Sequence, residues 1–450
     1  MTTRQVKSSP DEMIAKILNV GRDHSVCILD SCNASHPSAD RLIVGIDPIE
    51  RFEMRDHDVE GLLATIDDVL TGDKAAIFTV SYDFGNRLHG IGGSNDSSEP
   101  DIFVALFDEL FIHNCGDETT SLTGHKTGSE NFNEILRSAD AAILDDGPKQ
   151  ELEIEPNFTR SEYLAAVEEI KERIKRGDTY QTNLTQRLTI ELSNEVLPQD
   201  VFRHIRKNSP VPFAGYIERP TSTVVSASPE RFFRVAHRMI EASPIKGTRP
   251  RGRTSDKDDQ LLRELINSSK DRAENTMIVD LLRNDLGRLC EYGSVRVSKL
   301  CEPMTLPAVH HLYSTIDGRL RSDAKPSDII SALFPCGSIT GAPKLRTMSI
   351  IDELEPDARG LSMGAIGVYI PQGFSIPPVL DLSVAIRTIV IRESVASFNV
   401  GGGITIDSDP VSEYEESWAK AKPLLDALGC ERPRSTFDRS DAEHIPTGVV

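Results

Sequence analysis

Short apolar runs alternate with helical patterns through the first 112 residues. SVCILDS (25–31), RLIVGID (41–47) and AAIFTVSYDF (75–84) have the length and content of strands, while VEGLLATIDDVL (59–70) repeats its apolar residues at helical spacing. The mixture predicts an α+β arrangement. A polar stretch, HNCGDETTSLTGHKTGSENFN (113–133), breaks the pattern and reads as a surface loop. Beyond it, NFTRSEYLAAVEEIKERIKRGD (157–178) is the clearest helix: Thr159 and Glu162 have capping-box spacing, Tyr163, Val167, Ile170 and Ile174 share a face, and Gly177 can end it. QRLTIEL (186–192), STVVSAS (222–228) and RFFRVA (231–236) read as strands.

Two later helices change the picture because of where their acids fall. In KDRAENTMIVDLLRNDLGRL (270–289), turns of about 100° per residue put Asp271, Glu274 and Asp285 on the side of Ile278, Leu281 and Leu282. A buried ionised carboxylate without a partner costs several kcal/mol, so these acids must be paired, metal-bound or protonated. Arg272 and Arg283 are candidate partners. In DPVSEYEESWAKAKPLLDAL (409–428), Glu413, Glu416 and Lys420 form a stripe roughly opposite Val411, Tyr414 and Trp418. That stripe is a solvated face unless it lines a cleft, in which case oxygen donors from two helices suit Mg²⁺.

Four further stretches carry candidate chemistry. FPCGSITGAPK (334–344) is a Gly-rich turn or an anion cradle, but it lacks P-loop spacing. LDLSVAIRT (380–388) places Arg387 after an apolar strand, where it could bind a carboxylate bidentately or form a structural ion pair. FNVGGGITIDSDP (398–410) runs through three glycines, Gly401, Gly402 and Gly403, which permit close backbone approach. PIKGTRPRG (244–252) sets Lys246 apart from an arginine-rich segment, beside Pro244 and Ile245.

Composition narrows the classes. A chain of 450 residues with 38% apolar content can build a large core, and its net charge of −20 repels nucleic acids and anionic membranes. An anionic substrate must therefore be met by local cations. The run KGTRPRGRTSDK (246–257) lacks the interleaved aromatics of a nucleic-acid-binding module. Seven cysteines without CxxC pairing fit reduced thiols, and no 18-residue apolar run or signal core occurs, so a soluble cytoplasmic protein is expected.

The segments DTYQTNLTQRL (178–188), SASPERFF (226–233), PIKGTRPRG (244–252), ENTMIVDLLRNDLG (274–287), VHHLYST (309–315), FPCGSITGAPK (334–344), GAIGVYI (364–370), AIRT (385–388) and GGGITIDSDPVSEYEESWAKAK (401–422) resemble the ordered motif set of the chorismate-utilising enzymes. That family includes anthranilate, aminodeoxychorismate, isochorismate and salicylate synthases. The likeness runs from about residue 155 to 428 and is loose before 150.

The resemblance implies an α+β fold, like that of anthranilate synthase component I. Two packed, mainly antiparallel sheets would be surrounded by helices, with a central cleft. Residues 1–135 would be an N-terminal part of the same fold, 150–430 the chorismate-binding part, and 431–450 a polar tail. It implies Mg²⁺ held by Glu274 and Glu416, with Glu413 and Asp271 close by, binding the ring carboxylate of chorismate. Arg387, Lys420 and the Gly401–Gly403 backbone would take the enolpyruvyl carboxylate. Glu230 would protonate the departing C4 hydroxyl, His311 would sit near it, and Thr340 would line the ring.

Lys246 separates branches within the family. The anthranilate-forming branch typically reads PIAGT, whereas the aminodeoxychorismate synthase branch reads PIKGT, as here. In that branch the lysine attacks C2 and ammonia later displaces it at C4, for 4-aminobenzoate and folate synthesis. Ammonia would come from a separate glutamine amidotransferase subunit, since no Cys-His glutaminase constellation is visible. The anthranilate synthase component I activity is the alternative. Two positions depart from the family pattern: Val368 stands where a tyrosine commonly follows GAIG, and Cys336 replaces a glycine. The first implies either a lost carboxylate contact or a shifted strand register.

Overall fold

The computed structural model describes residues 2–430 apart from 7–8, 21–23, 32–33, 35, 37, 56–57, 93–96, 126–127, 129, 138–151, 194 and 307–308. The tail expected at 431–450 lies outside the described residues.

Alternating apolar positions give strands with two usable faces, and the chain spends them on two antiparallel sheets of 12 and 10 strands. Each sheet mixes early and late segments. In the first, Val26–Asp30 pairs with Phe213–Glu218, and Val395–Ile404 pairs with Gln181–Glu191. In the second, Ala75–Val80 pairs with Ala365–Ile370, and Ile245–Pro250 lies at the edge against Val309–Arg319.

The inner faces meet in one apolar layer, where Ile43, Val224 and Val390 of the first sheet join Ile77, Ile366 and Val379 of the second. Helices cover the outer faces. Tyr163, Val167 and Ile170 of the helix Arg160–Lys175, with Tyr414 and Trp418 of Pro410–Ala427, pack on Leu184, Leu188, Phe398 and Val400. On the other side Ile278, Leu282 and Leu286 of Ser269–Gly287 pack with Phe233, Ile316 and Leu382. The layering is helix, sheet, sheet, helix, as expected for an α+β chain.

The first long helix starts where the capping box placed it. Thr159 accepts from the Glu162 amide, and Glu162 accepts from the Thr159 amide at 2.8 Å. Gly177 follows with φ of 82°.

Two expectations fail, and one open alternative is decided. The polar stretch 113–133 is no loop: Thr119–Gly124 pairs with Glu109–Asn114 and with Thr2–Gln5, and a helix spans Glu130–Arg137. Its threonines are β-branched and suit a strand, and His113 Nδ1 satisfies the buried Thr120 hydroxyl at 2.7 Å. The thiols are also not all reduced. Cys27, Cys290, Cys301, Cys336 and Cys430 are free and buried, but Cys115 is disulfide-bonded. Finally, the register around Val368 does not shift. Val368 faces the layer between the sheets, and Tyr369 points the other way, its hydroxyl donating to Gly72 O at 3.2 Å. No tyrosine from this strand replaces the missing contact.

No helix among the described residues is long and apolar enough to cross a membrane.

Candidate active site

The edge strand Ile245–Pro250, the turn before Arg231–Ala236 and the Gly337–Ile339 turn converge on Lys246 and Glu230. Lys246 Nζ donates to the Ser338 carbonyl at 3.0 Å. Burial lowers the affinity of this amine for its proton, and the charges of Glu230 and Glu274 only partly oppose that. Glu230 is 6% exposed, and one of its carboxylate oxygens, Oε1, has no hydrogen-bond partner. Burial raises its pKa, with the Ser338 hydroxyl and Lys246 acting in the opposite sense. The two groups are thus biased toward their neutral forms, as an amine nucleophile and a general acid require.

His311 lies on Val309–Arg319, opposite Thr248. Its Nδ1 is 2.8 Å from the Thr248 hydroxyl, and burial together with the nearby Arg387 pulls its pKa down to about 4. At neutral pH it is an uncharged hydrogen-bonding group. Thr340, expected to line the ring, is fully buried, and its hydroxyl donates to the carbonyls of Cys336 and Gly337 at 3.1 and 3.3 Å. It fixes the loop from within.

The acids of the helix Ser269–Gly287 divide by partner. Asp285 pairs with Lys344 at 2.8 Å, and Asp271 with Arg249 at 2.9 Å; neither uses Arg272 or Arg283. Glu274 forms no ion pair among the described residues. Burial raises its pKa, and Asp271 and Glu413 add to the effect. On the facing helix, Tyr414 and Trp418 anchor the apolar side, so the stripe of Glu413, Glu416 and Lys420 turns toward Glu274. Glu413 is 9% exposed and accepts from the Ser408 hydroxyl at 2.6 Å, while Glu416 pairs with Lys420 at 2.8 Å. The stripe is thus split: Glu413 is buried, Lys420 is half-buried and Glu416 stays exposed.

No three His, Cys, Asp or Glu residues among those described form a ready metal cage. What the helices offer is two acids without ion pairs, Glu274 and Glu413, whose mutual repulsion a cation would relieve, with Glu416 held beside them by Lys420. An all-oxygen, incomplete donor set of this kind fits Mg²⁺, which keeps positions for water and substrate oxygens.

Two cations are available to an anion: Arg387, and Lys420 on the acidic stripe itself. Arg387 sits in the left-handed region with φ of 50°, and its guanidinium has no hydrogen bond or ion pair among the described residues. Burial alone lowers its pKa. An uncompensated cation of this sort is costly unless a ligand neutralises it. Lys420 donates to Gly401 O at 3.0 Å. Within the glycine run, Gly401 is closed to a side chain by the neighbouring backbone, since a Cβ there would lie 1.9 Å from Leu184 O, whereas at Gly403 a Cβ would meet the movable end of Gln181, with Nε2 at 2.2 Å. At Gly402 it would meet Glu413 and Lys420 at 3.3 and 3.4 Å, so this backbone forms the wall of the cleft.

A profile of the chorismate-binding enzymes matches residues 24–426. The chain belongs to that family. It is 37% identical to aminodeoxychorismate synthase component 1 of Bacillus subtilis (strain 168), over 78% of this chain and 76% of that one. It is 43% identical to the aminodeoxychorismate synthase of Streptomyces griseus over 69% of its length, but the match spans only 42% of that longer protein. Among solved structures, anthranilate synthase component I from Streptococcus pneumoniae TIGR4 superposes with a TM-score of 0.74 at 27% identity, covering 87% of this chain and 93% of that one. The family match therefore reaches back to residue 24, into the part whose sequence likeness is loose.

Proposed function

We propose that the chain aminates chorismate at C4 to give 4-amino-4-deoxychorismate, drawing ammonia from a separate glutamine amidotransferase. The observation that carries this reading is the half-buried Lys246, whose amine donates to the Ser338 carbonyl near the buried Glu230, at the position where an anthranilate-forming relative would carry alanine. The relatives named component 1 support the expectation of a second subunit.

Arg387 and Lys420, with the glycine wall, would bind one carboxylate of the dianion. Glu274, Glu413 and Glu416 would hold Mg²⁺, which neutralises the other carboxylate when bound. The neutral Lys246 amine then forms a bond to C2. The C1=C2 pair moves to C1=C6, the C5=C6 pair moves to C4=C5, and the C4–O bond breaks. Glu230 delivers its proton to the leaving oxygen, so water departs. Ammonia adds at C4, the double bonds return, and the C2–N bond breaks to release Lys246. The proton lost by the new C4 ammonium restores Glu230. Chorismate and ammonia give product and water.

Anthranilate synthesis is the competing reading, favoured by the solved relative above. Incubation with chorismate, ammonium and Mg²⁺ separates the two. The proposal expects a product that yields 4-aminobenzoate only after a separate lyase is added; fluorescent anthranilate without a lyase would refute it.

Two further outcomes follow. Arg387→Lys should raise KM for chorismate about tenfold to a hundredfold, because a point charge replaces a bidentate fork whose charged hydrogen bonds contribute about 1.5–3 kcal/mol. An unchanged KM would remove Arg387 from the carboxylate site. Chelation of divalent ions should abolish turnover reversibly, with Mg²⁺ restoring it; full activity in chelator would contradict the role given to the acidic helices.

A further inference from the structure

A cavity of about 130 Å³ lies between the helix Tyr82–Leu88, the segment from Ser97 to Asp101 and the chain that follows the helix Lys344–Leu354. None of the residues placed at the chemistry lines it. Its wall is acidic, and its two arginines are already committed: Arg87 pairs with Asp101, and Arg359 with Glu355. Asp83, Asp352 and Asp357 also line it and form no ion pair among the described residues. Burial raises the pKa of Asp83 to about 6 and moves that of Asp352 upward as well, as expected of acids short of a cation.

Three polar atoms of the same wall are buried without a hydrogen-bond partner among the described residues: the Tyr82 hydroxyl, Asn86 Oδ1 and Asp101 Oδ2. Tyr82 is 1% and Asp101 4% exposed, so bulk water does not reach them. All three can accept a hydrogen bond, and a buried acceptor without a donor is costly. The wall is short of positive charge and of N–H or O–H donors.

That chemistry limits the occupant. Anions are repelled. A divalent metal needs a tight donor set, and no three His, Cys, Asp or Glu residues among those described form one. An ammonium ion carries one positive charge, donates through every N–H and accepts nothing, so it suits acids and empty acceptors that stand apart.

We propose that this cavity binds an ammonium ion through Tyr82, Asn86 and Asp101, with Asp83 and Asp352 supplying negative charge. Binding here does not depend on the amination reading, which adds a use: an enzyme that consumes ammonia would hold its protonated form beside Arg359. The guanidinium carbon of that arginine is 4.6 Å from the centre of the Tyr82 ring, and the same group donates to Ile339 O at 3.1 Å. It thereby links the cavity to the turn whose Ser338 carbonyl holds Lys246.

Thermal midpoints measured without chorismate test the site. At about ten times its dissociation constant, ammonium chloride should raise the wild-type midpoint by about 2 °C over tetramethylammonium chloride at equal ionic strength, which has no N–H to donate. Potassium chloride supplies a cation of similar size without donors and should give less than about half that rise. Tyr82→Phe removes only an unpartnered hydroxyl, so its midpoint without ammonium should match or exceed wild type. Its ammonium increment should fall by at least about half, and Asp352→Asn should lose the increment to a similar extent. An increment absent from wild type, equalled by potassium, or kept in full by either variant overturns the proposal. The amination reading stands or falls separately, on the product formed from chorismate.

Discussion

Replacing Lys246 by alanine should lower formation of 4-amino-4-deoxychorismate by about three orders of magnitude, equivalent to about 4 kcal/mol of transition-state stabilisation. Chorismate binding should survive. The amine contacts the loop through Ser338 O, whereas the groups placed for the carboxylates, Arg387 and Lys420, lie elsewhere in the cleft. The wild-type rate should rise with pH as Lys246 loses its proton, and do so below the ordinary lysine value of 10.5, because burial lowers the pKa of this amine. Coupling to Glu230 makes the observed midpoints properties of the pair. Steady-state kinetics with ammonium and equilibrium binding of chorismate check both halves. A variant with wild-type turnover would remove Lys246 from the nucleophile's role, and one that no longer binds chorismate would make it a binding cation.

The second large effect concerns stability. Glu355 and Arg359 are 5% and 3% exposed and form an ion pair at 2.7 Å. Glu355 also accepts from the Thr185 amide and hydroxyl at 2.7 and 2.9 Å. Arg359 donates to Asn183 O at 2.7 Å and to Ile339 O at 3.1 Å, with its guanidinium carbon 4.6 Å from the centre of the Tyr82 ring. Breaking a buried pair from one side leaves an uncompensated charge, so Glu355→Ala should cost about 3–5 kcal/mol. Chemical denaturation would measure the loss, and a change below about 1 kcal/mol would show that Arg359 finds another partner. Because the same arginine props the Gly337–Ile339 turn, folded Glu355→Ala protein should also turn over more slowly.

How much of this could be read from the chain depends on the range of each interaction. The capping box of Thr159 and Glu162 is local and emerges intact. So does the acidic face of Ser269–Gly287, where helical spacing alone sets which residues face the cleft. The partners of those acids were not legible. Asp285 meets Lys344 and Asp271 meets Arg249 only after the sheets have assembled, while the nearby Arg283 pairs with Asp280 instead. Likewise, the neutral state of His311 depends on burial and on Arg387, neither of which spacing reveals.

Polarity misled at 113–133, where strand pairing and the His113–Thr120 contact offset the cost of burying threonines. The GSIT motif flagged its loop, but nothing in one sequence shows that Ser338, rather than Thr340, meets Lys246. The Glu355–Arg359 buttress gave no signal beyond i,i+4 spacing, which is common on exposed helices.

The account stands on Lys246 as a covalent nucleophile. Intact-mass measurement of the wild-type protein with chorismate and Mg²⁺, without ammonia, tests that directly. The account predicts an adduct of chorismate less one water, mapped by peptide fragmentation to Lys246 and discharged when ammonium is added. Wild-type protein that turns over chorismate with ammonium but never carries mass on Lys246 would contradict it.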